Sequence, residues 1–239
     1  MFFYFRKNDF IFYLYSTRRL PVLLCILLTN QTVSSIMQPS NYVKREIIVY
    51  TDYVCPFCLL AEKLLRDVVA GKPVKITWRP FELRPFPVPT LEVEDEYLPA
   101  IWQRAVYPMA EKLGIDIKLP TISPQPRTDK AFEAFAFAEQ AGLGDEFSMA
   151  TLSAFFQKNQ DIGDIDVLLT IADDIGLERQ ALKRALETNE FTQAHQRALR
   201  RANLEDKISV VPTIIIGEAR YDGVASKEWI EAALDNLLV

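Results

Sequence analysis

Between Glu46 and Arg79 the hydrophobic period of this chain changes twice, and that stretch constrains the fold more than any other. Glu46 to Thr51 is β-branched and aromatic and of strand length. Leu59, Leu60, Leu64, Leu65 and Val68 then recur at helical spacing, and Val74 to Arg79 reads as a second strand after Gly71 and Pro73. Strand, helix and strand in so short a span form a βαβ unit, which implies parallel neighbours and a right-handed crossover. Reactive groups in such a sheet collect at the carboxyl ends of the strands. Two cysteines, Cys55 and Cys58, stand there.

Pro56 suits the first helical position because it has no N–H to leave unpaired, so the spacing predicts a helix from about Pro56 with Cys55 at its boundary. Cysteines separated by two residues on a first helical turn share a side and can close a disulfide with little backbone movement. Unpaired N–H groups and the partial positive charge of the helix end favour thiolate at the first sulfur. Cys55 is the expected nucleophile, and Cys58 the thiol that resolves or releases a mixed disulfide. A closed zinc site needs four ligands, and only His195 and distant Cys25 are available beyond the pair, so no metal is expected.

Pro80 to Pro89 is dense in proline, and the text then reads as helical as far as Asp206. Candidate helices are 94–113, 128–141, 145–159, 164–175, 178–187 and 191–203. Gly114, Gly142, Gly144, Gly163 and Gly176 serve as stops, and Pro99 and Pro108 kink or split the first helix. Pro212 to Ile216 is a third strand, Gly217-Glu218 a turn, Ala219 to Asp222 a short fourth strand, and Ser226 caps a final helix over 227–238. The expected division is an N-terminal extension (1–44), a βαβ half (45–89), a helical insertion (90–206) and a ββα half (207–239).

Val211-Pro212 begins the third strand beside the cysteine edge. A proline there can be cis, leaving the preceding backbone N–H and C=O free to pair with an extended substrate. Glu82 falls near the end of the second strand, where a carboxylate can manage a proton, and Asp52 is a weaker candidate for the same task. His195, on a helix rich in arginine, reads as a surface residue, and Arg200-Arg201 as a solvated face. Phe132, Phe135, Phe137, Phe155 and Phe156 fit helix packing, some of them lining an apolar groove.

Residues 1–44 hold five basic residues and one acid, so the remainder carries 22 basic and 31 acidic residues, a net of −9. That balance gives no basic footprint for nucleic acid. Arg18-Arg19 followed by the apolar run Leu20 to Leu28 and by Val33-Ser34-Ser35 has the pattern of a secretory signal and is too short to span a bilayer. A start at Met37 is the alternative preferred here, with a cytoplasmic protein as its consequence; a signal over 1–35 would make it periplasmic or secreted, and a membrane anchor is the third reading. No stable membrane association is expected for residues 37–239.

Thr51-Asp52-Tyr53-Val54-Cys55-Pro56-Phe57-Cys58, Arg79-Pro80-Phe81-Glu82-Leu83, Asp161-Ile162-Gly163-Asp164 and Val210-Val211-Pro212-Thr213 together resemble the DsbA-like oxidoreductases, most closely their FrnE-type branch. That branch is related to 2-hydroxychromene-2-carboxylate isomerases and kappa-class glutathione transferases. The resemblance implies an α/β thioredoxin-like fold with a large all-helical insertion and a Cys55–Cys58 couple cycling between dithiol and disulfide. It also implies a cis-proline loop at Val211-Pro212, and protein thiols or glutathione as partners, with no other cofactor. Pro56-Phe57 departs from the histidine-containing dipeptide of strongly oxidising members, which leaves oxidant, reductase and isomerase open. Relatives acting as glutathione-dependent isomerases generally carry serine at the reactive position, so both cysteines argue against that activity. A redox-inactive binding or chaperone protein is the remaining alternative.

Overall fold

The computed structural model describes residues 45–238, so the readings of the N-terminal extension lie outside the described residues. Its central strand is β1 (Arg45–Thr51), whose Ile47 and Val49 are fully buried. β1 runs parallel to β2 (Val74–Pro80), with Ile47 opposite Ile76 and Tyr50 opposite Arg79. On its other side it pairs antiparallel with β3 (Thr213–Ile216), with Val49 opposite Ile214 and Tyr50 opposite Thr213. A hairpin then adds β4 (Ala219–Asp222), giving the order β2-β1-β3-β4. Gly217 turns that hairpin at φ 59°, a backbone region where a Cβ is disfavoured.

Helix α1 (Pro56–Val69) makes the crossover between β1 and β2. Its Leu59, Leu60 and Leu65 are fully buried, as the helical spacing requires. So is Glu62, whose carboxylate accepts from Arg66 at 2.9 Å. Burial pushes the Glu62 carboxyl up to about 7, with the Arg66 guanidinium pulling the other way. Arg66 continues to Asp145, which also accepts from the Trp78 indole N–H at 2.6 Å, so a buried acid on α1 is tied through one arginine to β2 and to the helical part.

That helical part fills the chain between β2 and β3. α2 (Tyr97–Ile101) passes through a widened turn at Trp102–Val106 into α3 (Tyr107–Leu113). The single helix expected over 94–113 therefore starts later and is interrupted rather than cut. Pro108 supplies no N–H and its ring crowds the carbonyl four residues back, and a π turn just before it relieves both. α4 (Asp129–Gln140), α5 (Gly144–Phe156), α6 (Ile165–Asp174), α7 (Arg179–Glu187) and α8 (Thr192–Arg200) follow, with a second π turn at Arg201–Glu205. α4 packs against α5, α6, α7 and α8. Helix α9 (Lys227–Asp235), capped by the Ser226 hydroxyl, returns to α1 and β3.

Gly114, Gly142 and Gly176 end helices in the left-handed region, as expected of stops. Gly144 and Gly163 do not. Gly144 opens α5, and a Cβ there would meet Glu139 Cγ at 2.6 Å, so this glycine serves a close approach of α4. Phe132, Phe135, Phe155 and Phe156 belong to the core, and Phe137 packs on its margin.

Phe155 has no exposed surface. Phe155→Ala removes its burial and leaves a cavity, and urea unfolding followed by circular dichroism is expected to show a loss of about 3–5 kcal/mol.

Candidate active site

Cys55 is the N-cap of α1, in extended backbone at φ −92° and ψ 112°, with Pro56 as the first helical residue. Its N–H donates to Asp52 O at 3.1 Å and its C=O accepts from Cys58 N at 3.0 Å, so the pair sits on one tight turn between strand and helix. Both thiols are free and nearly buried. Burial pushes the Cys58 thiol well above the ordinary range, and the Cys55 sulfur beside it adds to the effect, while Thr51 and the Asp52 backbone oppose it. A Cys58 thiolate is thus costly until a substrate sulfur draws it out.

The turn before β3 completes the site. The Val211–Pro212 bond is cis, and Val211 O lies 3.4 Å from Cys55 Sγ, accepting the thiol proton across 156 residues of sequence. Pro212 O accepts from Gly223 N at 2.7 Å, and Thr213 Oγ1 donates to Val210 O at 2.7 Å, so both sides of the turn are pinned. Val210 remains exposed at its rim.

Two carboxylates lie behind this edge. Asp52 is 1% exposed and its Oδ2 accepts from Leu83 N at 2.7 Å. Burial raises the Asp52 carboxyl to about 6; the Leu83 N–H and Thr128 pull it down, and the Glu82 charge adds to the rise. Glu82 is also buried, and its Oε1 lies 2.6 Å from His195 Nε2. The structure thus sets Cys55, Cys58, Val211, Pro212, Asp52 and Glu82 around one edge of the sheet.

His195 corrects the sequence reading: it is buried, 5% exposed, and not a surface residue. Phe191, His195 and Ala202 are buried at intervals of four and seven residues, the signature of an inward helical face. Arg197, Arg200 and Arg201 occupy the outward one, with Arg201 held to Asp206 at 3.1 Å. The signal was in the spacing, hidden by the arginines beside it.

Comparison with known proteins settles the family. The model of the DSBA-like thioredoxin domain matches residues 46–235. The chain belongs to that family. It is 44% identical over 191 residues to YwbO of Bacillus subtilis (strain 168), an uncharacterised protein, covering 80% of this chain and 96% of that one. A solved 2-hydroxychromene-2-carboxylate isomerase superposes with a TM-score of 0.68 at 17% identity, covering 81% of this chain and 96% of the other. The cytosolic disulfide reductase DsbM of Pseudomonas aeruginosa gives 0.59 at 16% identity, covering 80% and 94%. At such identities the likeness is one of fold, and it agrees with the thioredoxin-like α/β architecture seen here. Among the described residues, no helix is long and apolar enough to cross a membrane, and no group of three or more His, Cys, Asp and Glu is placed to hold a metal ion.

The Asp52 carboxyl gives the stability a defined pH dependence. Below pH 3.8 it is protonated in both folded and unfolded chains, so its burial costs nothing. Between 3.8 and about 6 the unfolded chain ionises while the folded one keeps its proton, and above about 6 the folded chain bears the full cost, about 3 kcal/mol. Asn at this position keeps an acceptor for Leu83 N. Asp52→Asn is therefore expected to be more stable than the parent at pH 8, by about 1–3 kcal/mol in urea unfolding. The advantage should shrink steeply towards pH 4 and vanish below pH 3.

Proposed function

We propose that this chain is a thiol–disulfide oxidoreductase working through Cys55 and Cys58 on protein thiols or glutathione. The single observation that carries the reading is the placement of Cys55 Sγ at a helix N-cap, 3.4 Å from Val211 O, on a face shared with a second buried thiol. Reactive thiols are found at helix N-termini, and the neighbouring carbonyl accepts the Cys55 thiol proton.

In the reducing direction Cys55 thiolate attacks one sulfur of a substrate disulfide. The Cys55–substrate S–S bond forms, the substrate S–S bond breaks, and the departing sulfur leaves as thiolate and takes up a proton. Cys58 then loses its proton and attacks Cys55 Sγ; the Cys55–Cys58 bond forms and the second substrate sulfur leaves with the electron pair. Two electrons pass to the substrate, whose disulfide becomes two thiols, while the enzyme dithiol becomes a disulfide. The oxidising direction reverses these steps. Val211 and Pro212 hold an extended substrate segment by its backbone beside Cys55, and Glu82 manages a proton behind the dithiol.

Glutathione as the small-thiol partner draws support from the fold shared with DsbM, which has also been solved with GSH. A glutathione-dependent isomerase would not need Cys58, and the structure keeps Cys58 packed against Cys55.

Reduction of insulin disulfides and of glutathione disulfide by the purified chain tests the reading. Cys55→Ser is expected to abolish both activities, at least a hundredfold, and Cys58→Ser to accumulate a mixed disulfide on Cys55 visible by mass spectrometry. Full activity in the double variant would sink the proposal.

A further inference from the structure

The carbonyl that reaches Cys55 Sγ belongs to a short segment, Asp206 to Val211, that leaves the second π turn and ends at the cis bond. Ile208 and Val211 are buried, while Lys207, Ser209 and Val210 are exposed. Lys207 lies at φ 50°, a left-handed conformation that a residue with a Cβ keeps only where its surroundings impose it.

The two ends of the segment are held by different groups. At the start, the Asp206 carboxylate accepts from the Tyr50 hydroxyl on β1, from Arg79 on β2 at 3.2 Å and from Arg201 at 3.1 Å. Ile208 N–H donates to Ala202 O at 2.8 Å. At the end, Val210 O accepts from the Thr213 hydroxyl, whose oxygen also lies 3.0 Å from Asp222 Oδ1. One side chain reaches both ends. From β4, Arg220 Nη1 donates to Asp206 O at 3.1 Å and Nη2 to Lys207 O at 3.4 Å, while Nε donates to Asp222 Oδ1 at 2.8 Å.

The fork distinguishes this contact more than the charge. The Arg220 side chain is 34% exposed and that of Asp222 46%, and an ion pair so open to water is worth little. Three acceptors gripped by one planar group differ, because the guanidinium presents its donors in a fixed geometry and loses little freedom per bond made. Lysine, with a single nitrogen, does not span them.

We propose that Arg220 is a positioning residue: it clamps the Asp206–Val211 segment to β4 and so holds Val211 beside Cys55, ready for the backbone of an extended substrate. Arg220 acts through the segment and touches no reacting atom. A segment already in place need not be ordered on binding, so loss of the clamp raises KM and leaves kcat. The kinetic consequence rests on the proposed exchange activity, whereas the clamp itself does not.

Hydrogen exchange of the full-length chain, followed by mass spectrometry of peptides covering 206–213, reads the clamp without any enzyme activity. Arg220→Ala is expected to speed exchange at Ile208 N–H by about tenfold or more, with peptides of α1 and β1 unchanged. Initial rates of insulin reduction, with dithiothreitol restoring the dithiol, are expected to show KM raised about three- to tenfold and kcat within about twofold of the parent. Arg220→Lys keeps the pair with Asp222 and loses the fork, so it should follow Arg220→Ala, and it carries the test if the alanine variant does not fold. Asp222→Asn removes the charge but keeps an acceptor for Arg220 and Thr213, and it should match the parent in both measurements.

Unchanged exchange at 206–213 in the Arg220 variants overturns the proposal. Faster exchange throughout the chain with an earlier urea midpoint, the mark of a contribution to stability alone, also overturns it, as does a fall in kcat at constant KM. An Asp222→Asn variant as loose as Arg220→Ala would assign the effect to the charge pair and remove the clamp. If the parent reduces no disulfide while exchange at 206–213 responds as expected, the oxidoreductase reading falls and the clamp stands.

Discussion

The antiparallel register of β1 and β3 is the constraint on which the rest of the site depends. Tyr50 stands opposite Thr213, so the residues after Tyr50 and those before Thr213 meet beyond the same sheet edge. Val211 O thereby comes within 3.4 Å of a sulfur 156 residues away. A slip of one residue would turn every β3 side chain to the opposite face and carry the carbonyl away from the thiol. The fully buried faces of Ile47, Val49, Ile214 and Ile216 make such a slip expensive, and apolar packing thus fixes the geometry of a polar site.

Several acids are buried in this fold. Asp52, Glu62 and Glu82 are all at or below 8% exposure, and each has a directed partner: Leu83 N–H, the Arg66 guanidinium and the His195 imidazole. Buried ionic groups of this kind rarely repay their desolvation, and removing one partner leaves the other uncompensated. Asp52 and Glu62 show the cost directly, in carboxyls pushed up to about 6 and about 7. The partners of Glu62 and Glu82 differ in origin. Arg66 lies one turn along the same helix, whereas His195 comes from a helix between β2 and β3, 113 residues from its acid.

Much of the architecture was legible along the chain. The β-branched and aromatic run of β1, the helical spacing of α1 and the apolar run of β3 are local patterns. The placing of Cys55 and Cys58 on the first turn followed from Pro56 in the same way. Glycine was read less well, because one residue type serves both helix stops and close contacts. Gly142 is a stop, while Gly144 makes room for Glu139, and only the approach of α4 to α5 distinguishes them.

The amino-acid order by itself determined the strand–helix–strand unit, the N-cap position of Cys55 and the paired thiol one turn on, since each rests on interactions between residues a few positions apart. Tertiary structure alone decided what surrounds them. Val211 reaches Cys55, Leu83 N–H reaches Asp52 and His195 reaches Glu82 across separations of 156, 31 and 113 residues. Contacts at those distances along the chain leave no period in the sequence. They exist because sheet register and helix packing bring the groups together, and burial then obliges each polar atom to find its partner there.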